Sequence, residues 1–173
     1  VWFRGFGRPV LILTLVLAAS PMAAASAGGT EDRFDWPLHP RAAITRYFDG
    51  PRERWNRGHR GVDMAGTPDQ RVVAAGPGMV VYAGSLAGRS LVSIEHTGGL
   101  RTTYEPVTPL VTPGQRVSKG SLIGTLLPGH PGCPGAACLH WGALRGPASA
   151  ADYLDPLGLL ASTPLRLKPL TRG

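Results

Sequence analysis

The sequence predicts a compact, mostly antiparallel all-β domain. Three observations predict it. Short apolar runs with strand character recur from residue 43 onward, each only a few residues long. Glycine and proline punctuate them at Gly76-Pro77-Gly78, Gly98-Gly99, Pro113-Gly114 and Lys119-Gly120. No segment between residues 30 and 149 carries a helical period.

In chain order, the expected strands are 43–48, 71–75, 79–83, 91–96, 100–104, 121–127 and 138–144. Gly98-Gly99 between two of these runs reads as a hairpin turn. In the last strand, alternation puts Cys138, His140 and Gly142 on one face and Leu139, Trp141 and Ala143 on the other. Leu139 and Trp141 suit a core, so His140 faces away from it. Only residues 155–160 can form a helical turn or two, with Asp155 as N-cap and Pro156 at the first position.

The first 27 residues read as an export signal, either cleaved after Ala27 or kept as an N-terminal anchor. Arg4 and Arg8 form a basic start, residues 10–19 an apolar run too short to span a bilayer comfortably, and Ala25-Ser26-Ala27 a small-x-small cleavage site. Residues 28–35 form a polar, flexible beginning, residues 36–160 one domain, and residues 161–173 a tail. No second apolar run reaches membrane length, so no transmembrane helix is expected in the mature chain. The expected location is extracytoplasmic, in association with the cell wall, and the expected state is a monomer. Without Arg4 and Arg8 the net charge falls from +7 to +5, which favours an anionic surface such as a cell wall as well as plain solvation. The aromatic and basic interleaving that binds nucleic acid is absent.

Cys133 and Cys138 are the chain's two cysteines. They share one short Pro/Gly loop, and export would place them in an oxidising compartment, so a disulfide is expected. The closed ring is small and contributes only about 2 kcal/mol in the entropy model.

The chemistry concentrates in Gly58-His59-Arg60-Gly61-Val62-Asp63 and Leu139-His140-Trp141. Two imidazoles and a carboxylate can hold zinc and leave a fourth position open. On a straight strand His59 and Asp63 would lie ~13 Å apart, whereas each ligand must come within about 2 Å of the metal. The chain must therefore curl between them, and Gly61 permits it. A helix would also bring them together, but Gly58 and Gly61 argue against one. Taken singly, His59 also reads as a surface residue and Asp63 as a turn cap. His39, before Pro40, reads as structural. His96 is expected to bond backbone near the Gly98-Gly99 turn, and His130 lies in the Pro128–Pro134 loop.

These motifs, together with Val73-Ala74-Ala75-Gly76-Pro77-Gly78-Met79-Val80, Thr103-Tyr104, Gly114-Gln115-Arg116-Val117-Ser118-Lys119-Gly120 and Ile123-Gly124, resemble the LytM and lysostaphin type of zinc endopeptidase, in the same order. The resemblance covers about residues 36–160. It implies a barrel-sandwich β domain of the LytM-like duplicated hybrid type with a groove across the sheet. It also implies zinc on His59, Asp63 and His140, and the peptide part of peptidoglycan as substrate.

The departures matter equally. The family has a catalytic histidine two residues after the tyrosine matching Tyr104, and here Pro106 stands there. It has a second two residues before the last ligand, where Cys138 stands. Losing such a group typically costs on the order of a hundredfold. Alternation turns Glu105 away from residues 104 and 106, so it is no obvious replacement. His130 can fold back over the metal and replace a lost imidazole, or remain an exposed loop residue. Three readings follow: an active zinc endopeptidase using His130; a degenerate member that binds wall peptide or regulates a partner hydrolase; and a structural zinc module closed by Cys138 as fourth ligand.

Overall fold

The computed structural model describes residues 34–50, 53, 56–147 and 150–160. The expected signal at 1–27, nearly all of the stretch 28–35 and the tail 161–173 lie outside the described residues. Among those described, no helix is long and apolar enough to cross a membrane.

Among the described residues, eleven strands form two antiparallel sheets. They are β1 (Ile44–Arg46), β2 (Gly61–Gly66), β3 (Arg71–Val73), β4 (Gly78–Leu86), β5 (Arg89–Glu95), β6 (Leu100–Glu105), β7 (Val107–Pro109), β8 (Arg116–Val117), β9 (Leu122–Leu126), β10 (Ala137–Arg145) and β11 (Asp152–Leu154). The large sheet runs β1-β2-β10-β6-β5-β4-β8, with β11 also paired to β10. The small sheet runs β3-β9-β7. The sheets remain open rather than closing as a barrel.

Strand alternation gives the large sheet two faces. Val62 and Met64 of β2, Val92 and Ile94 of β5, Tyr104 of β6, and Leu139 and Trp141 of β10 are all fully buried. They join Val72, Ile123, Leu126 and Val107 of the small sheet in one core. The intervening residues, including Asp63, Thr103, Glu105 and His140, turn to the other face. The small sheet thus covers one side of the large sheet and leaves the polar side as a groove floor.

The expected strands all form, with shifted ends. Strands β2, β7, β8 and β11 are not among those expected. The last three are only two or three residues long, and β2 has a glycine at each end. The expected turn at Gly98-Gly99 joins β5 to β6 through a short 3-10 segment, Thr97–Gly99, in which both glycines have positive φ. Asp155 caps α1 (Leu157–Leu160) by accepting a hydrogen bond from the Leu157 N–H at 3.0 Å.

Candidate metal centre

Register builds the site. Strand β10 lies between β2 and β6, and His140 stands opposite Asp63 on one side and Glu105 on the other. His59 precedes β2 in an isolated bridge with Asp49. Its N–H donates to the Asp49 carbonyl at 2.7 Å, and its carbonyl accepts from the Asp49 N–H at 2.9 Å. A bend at Arg60 then brings the His59 ring over Asp63.

Gly61 serves a different purpose from the one its sequence position implies. Its φ is not in the left-handed region. A Cβ there would lie 2.5 Å from the Trp141 carbonyl oxygen and 2.6 Å from His140 Nε2. The glycine therefore makes room for the imidazole, while the bend itself falls at Arg60.

Three ligand-type atoms converge. His59 Nε2 lies 2.9 Å from Asp63 Oδ1 and 3.1 Å from His140 Nδ1, and His140 Nδ1 lies 2.7 Å from the same carboxylate oxygen. Tetrahedral ligands about 2.0–2.1 Å from zinc would be separated by roughly 3.3 Å, so a small cation fits with slight widening. The donor chemistry agrees. His59 Nδ1 lies 2.7 Å from the Tyr47 carbonyl oxygen, which can only accept. That nitrogen therefore carries the proton, and a neutral His59 ring turns the Nε2 lone pair toward Asp63 and His140. Such fixing of the tautomer by a backbone carbonyl is usual for metal-ligating histidines. His59, Asp63 and His140 are the one grouping of this kind found among the described residues.

Burial pushes the Asp63 carboxyl up, but the hydrogen bond from His140 and the charge that His130, His140 and His59 carry when protonated outweigh it. Its pKa lies below the ordinary carboxylate value.

His130 comes to the same place. Its Nε2 lies 3.6 Å from Asp63 Oδ1. Its ring stacks on His140 with centroids 5.7 Å apart and planes inclined by 9°. The side chain is only 12% exposed, and His130 Nδ1 is buried without a hydrogen-bond partner among the described residues. Burial lowers its pKa more than Asp63 raises it, which favours the neutral ring.

Pro106, with no side-chain proton to give, lines the groove beside His130 and His140. Cys138 is bonded to Cys133 as a disulfide, so no thiolate is available there as a fourth zinc ligand. This removes the structural-zinc reading.

Glu105 requires a correction. Alternation does turn it away from Tyr104, but the Tyr104 side is the core. Glu105 therefore faces the groove, where Arg89 donates to its Oε1 at 2.9 Å. The signal in the sequence was the polar series Arg101, Thr103, Glu105, alternating with buried Leu100, Thr102 and Tyr104. His96 bonds backbone at the turn as expected, its backbone N–H donating to the Leu100 carbonyl at 2.8 Å, while its ring reaches elsewhere. Its Nδ1 donates to the Pro77 carbonyl at 2.7 Å, and its Nε2 pairs with the Thr102 hydroxyl at 2.8 Å, away from the glycine turn.

The sequence model of Peptidase family M23 matches residues 57–155. The chain belongs to this family.

A relative from Mycobacterium tuberculosis, described as an uncharacterized protein, is 59% identical over 157 residues. The match takes in 91% of this chain and 63% of that protein, so this chain spans less than two thirds of the relative's length. Among solved structures, this M23 chain resembles a zinc-containing peptidase from Vibrio cholerae, with 25% identity, TM-score 0.56, and coverage of 77% of this chain and 41% of that one. It shares its fold with the catalytic domain of lysostaphin from Staphylococcus simulans: 22% identity, TM-score 0.57, and 69% and 92% of the two chains. A chain of the SpoIIQ–SpoIIIAH pore-forming complex has the same fold at 19% identity and TM-score 0.61, over 76% and 92% of the chains.

Proposed function

We propose that this protein is an exported, monomeric zinc endopeptidase that cuts peptide bonds in the peptide part of bacterial peptidoglycan. The observation that carries the reading is the meeting of His130 with the His59, Asp63 and His140 triad in one groove. Family membership supplies the class of reaction, and the triad supplies a zinc-type donor set with a fourth position open. When bound, zinc activates water near neutral pH and polarises the peptide carbonyl.

The chain's own residues do the rest. Asp63 and His59 hold their lone pairs inward without rearrangement, because the Tyr47 carbonyl fixes the His59 ring. The groove, with Arg46, Arg60 and Arg89 along it, receives an extended peptide. His130, held neutral by burial, accepts a proton from the attacking water and passes it to the departing amine nitrogen. One C–N bond breaks, one C–O bond forms, and a new amino and carboxyl terminus result.

A second reading has a specific observation in its favour. Both family histidine positions carry groups without a usable proton, Pro106 and the disulfide-bonded Cys138. On that reading the groove binds wall peptide or a partner hydrolase without cutting. Digestion of cross-linked peptidoglycan with product analysis separates the two. The expected result is new termini with wild type, none with His140→Ala, and at least a tenfold slower rate with His130→Ala at unchanged zinc content. Peptide binding without any cleavage by wild type would establish the second reading instead.

A further inference from the structure

The disulfide and His130 belong to one loop, and the connection has a purpose. Residues 127–136 join β9 to β10. The loop holds prolines at 128, 131 and 134 and glycines at 129, 132 and 135, and Gly129 and Gly132 have positive φ. It lacks a strand ladder. The hydrogen bonds that shape it include the Leu127 N–H to the Pro106 carbonyl at its start and the Cys133 N–H to the His130 carbonyl at 3.2 Å. The second closes a turn, so His130 is one turn from Cys133. Cys133 is in turn covalently fixed to Cys138, with 5.6 Å between the Cα atoms. Cys138 is held in the sheet: it is fully buried, lies in the β10 ladder opposite Ala65, and sits two residues before His140.

We infer that the Cys133–Cys138 disulfide is a positioning device that holds the His130 imidazole over the metal centre. The inference rests on the proposed role of His130. The position where the family carries an imidazole here carries the anchor of the loop that delivers one. Without the crosslink, His130 would ride on a ten-residue Pro/Gly connection fixed only at its ends, and its place against His140 would be one of many. A displacement of about 1 Å at a reacting group can cost a hundredfold. The disulfide thus makes turnover dependent on an oxidised pair whose Cys133 end is partly exposed. A phosphine reductant would release it: the S–S bond takes two electrons from phosphorus and two protons from one water to give two thiols, and the water's oxygen leaves in the phosphine oxide.

The test compares wild type with Cys133→Ala/Cys138→Ala in two measurements. The first uses metal-free protein and needs no activity. Diethyl pyrocarbonate modification is followed residue by residue by mass spectrometry, with exposed His39 as internal reference. His130 is expected to react at least tenfold faster, relative to His39, in the double variant. An unchanged ratio overturns the inference. Wild type reduced by a phosphine and checked for retained β structure gives the same comparison should the double variant fail to fold.

The second measurement is peptide cleavage. The double variant is expected to lose at least tenfold in kcat, with KM within twofold and zinc retained, and adding His130→Ala is expected to lower kcat by less than a further twofold. Losses that multiply independently would show that the disulfide acts elsewhere, and would overturn the inference. If wild type cleaves nothing but His130 is released as described, the positioning stands and the peptidase reading falls.

Discussion

At the scale of single residues, the site depends as much on missing atoms as on ligands. Gly61 leaves space for the His140 ring, and Gly142 does the same beside Thr103, whose Oγ1 would lie 2.5 Å from an added Cβ. Gly61→Ala forces its methyl against a backbone carbonyl as well as the ring, so the ring alone cannot relieve the contact. The expected cost is about 1–3 kcal/mol in urea unfolding of the metal-free protein. Zinc affinity is expected to fall at least tenfold, because His140 must move. Unchanged zinc titration in Gly61→Ala would mean that the ring has room that the geometry does not show. Among the ligands, His59→Ala is expected to reduce bound zinc from about one per chain to near none in elemental analysis. Retention of the full content would remove His59 from the centre.

At the scale of elements, β5 and β6 are locked to the loop before β4 by a buried polar chain. His96 at the end of β5 reaches the Pro77 carbonyl and the Thr102 hydroxyl. The Thr102 and Tyr104 hydroxyls share a hydrogen bond of 3.0 Å, and Tyr104 Oη accepts from the Ala75 N–H at 3.0 Å. Phe34 packs its ring edge-on against His96. Burial lowers the His96 pKa below its ordinary 6.5, although the Pro77 carbonyl opposes this. The unfolded chain therefore binds a proton near pH 6.5 that the folded chain refuses until lower pH. Stability should fall as pH drops below 6.5 and level off once folded His96 is protonated. The check is urea unfolding of metal-free protein at several pH values, wild type beside His96→Gln. The variant should show a shallower loss between pH 6.5 and 5, and equal slopes would refute the assignment.

At the scale of the whole molecule, the candidate metal centre joins parts distant in sequence: the loop at residue 59, β2, the β9–β10 loop and β10. A cation held there stabilises the folded chain alone. The gain is about 2.7 kcal/mol when free zinc is a hundredfold above Kd. For a chain of this size that corresponds to a rise in Tm of roughly 5–10 °C, reversed by chelator. Thermal scans with and without zinc measure it, and His140→Ala should abolish the shift. A shift of full size in His140→Ala would place the stabilising zinc elsewhere.

Much of this was readable from residue order. Alternation in 138–144 assigns Leu139 and Trp141 to the core and His140 to the opposite face, because side-chain period in a strand is fixed at two. The glycine pairs mark turns because few other residues adopt positive φ. The motifs around His59, Asp63 and His140 fix the family, since residue type, spacing and order together are specific. Other properties come only from packing between distant segments. Alternation says that Glu105 and Tyr104 point oppositely, but which side is core depends on the small sheet that covers Tyr104. Gly61 is needed for space because β10 brings His140 beside it, and local sequence contains no such neighbour. His130 lies in a Pro/Gly loop that residue order leaves undetermined. Its place over Asp63 follows from β-sheet register and a crosslink to β10, two constraints that exist only once the chain has folded.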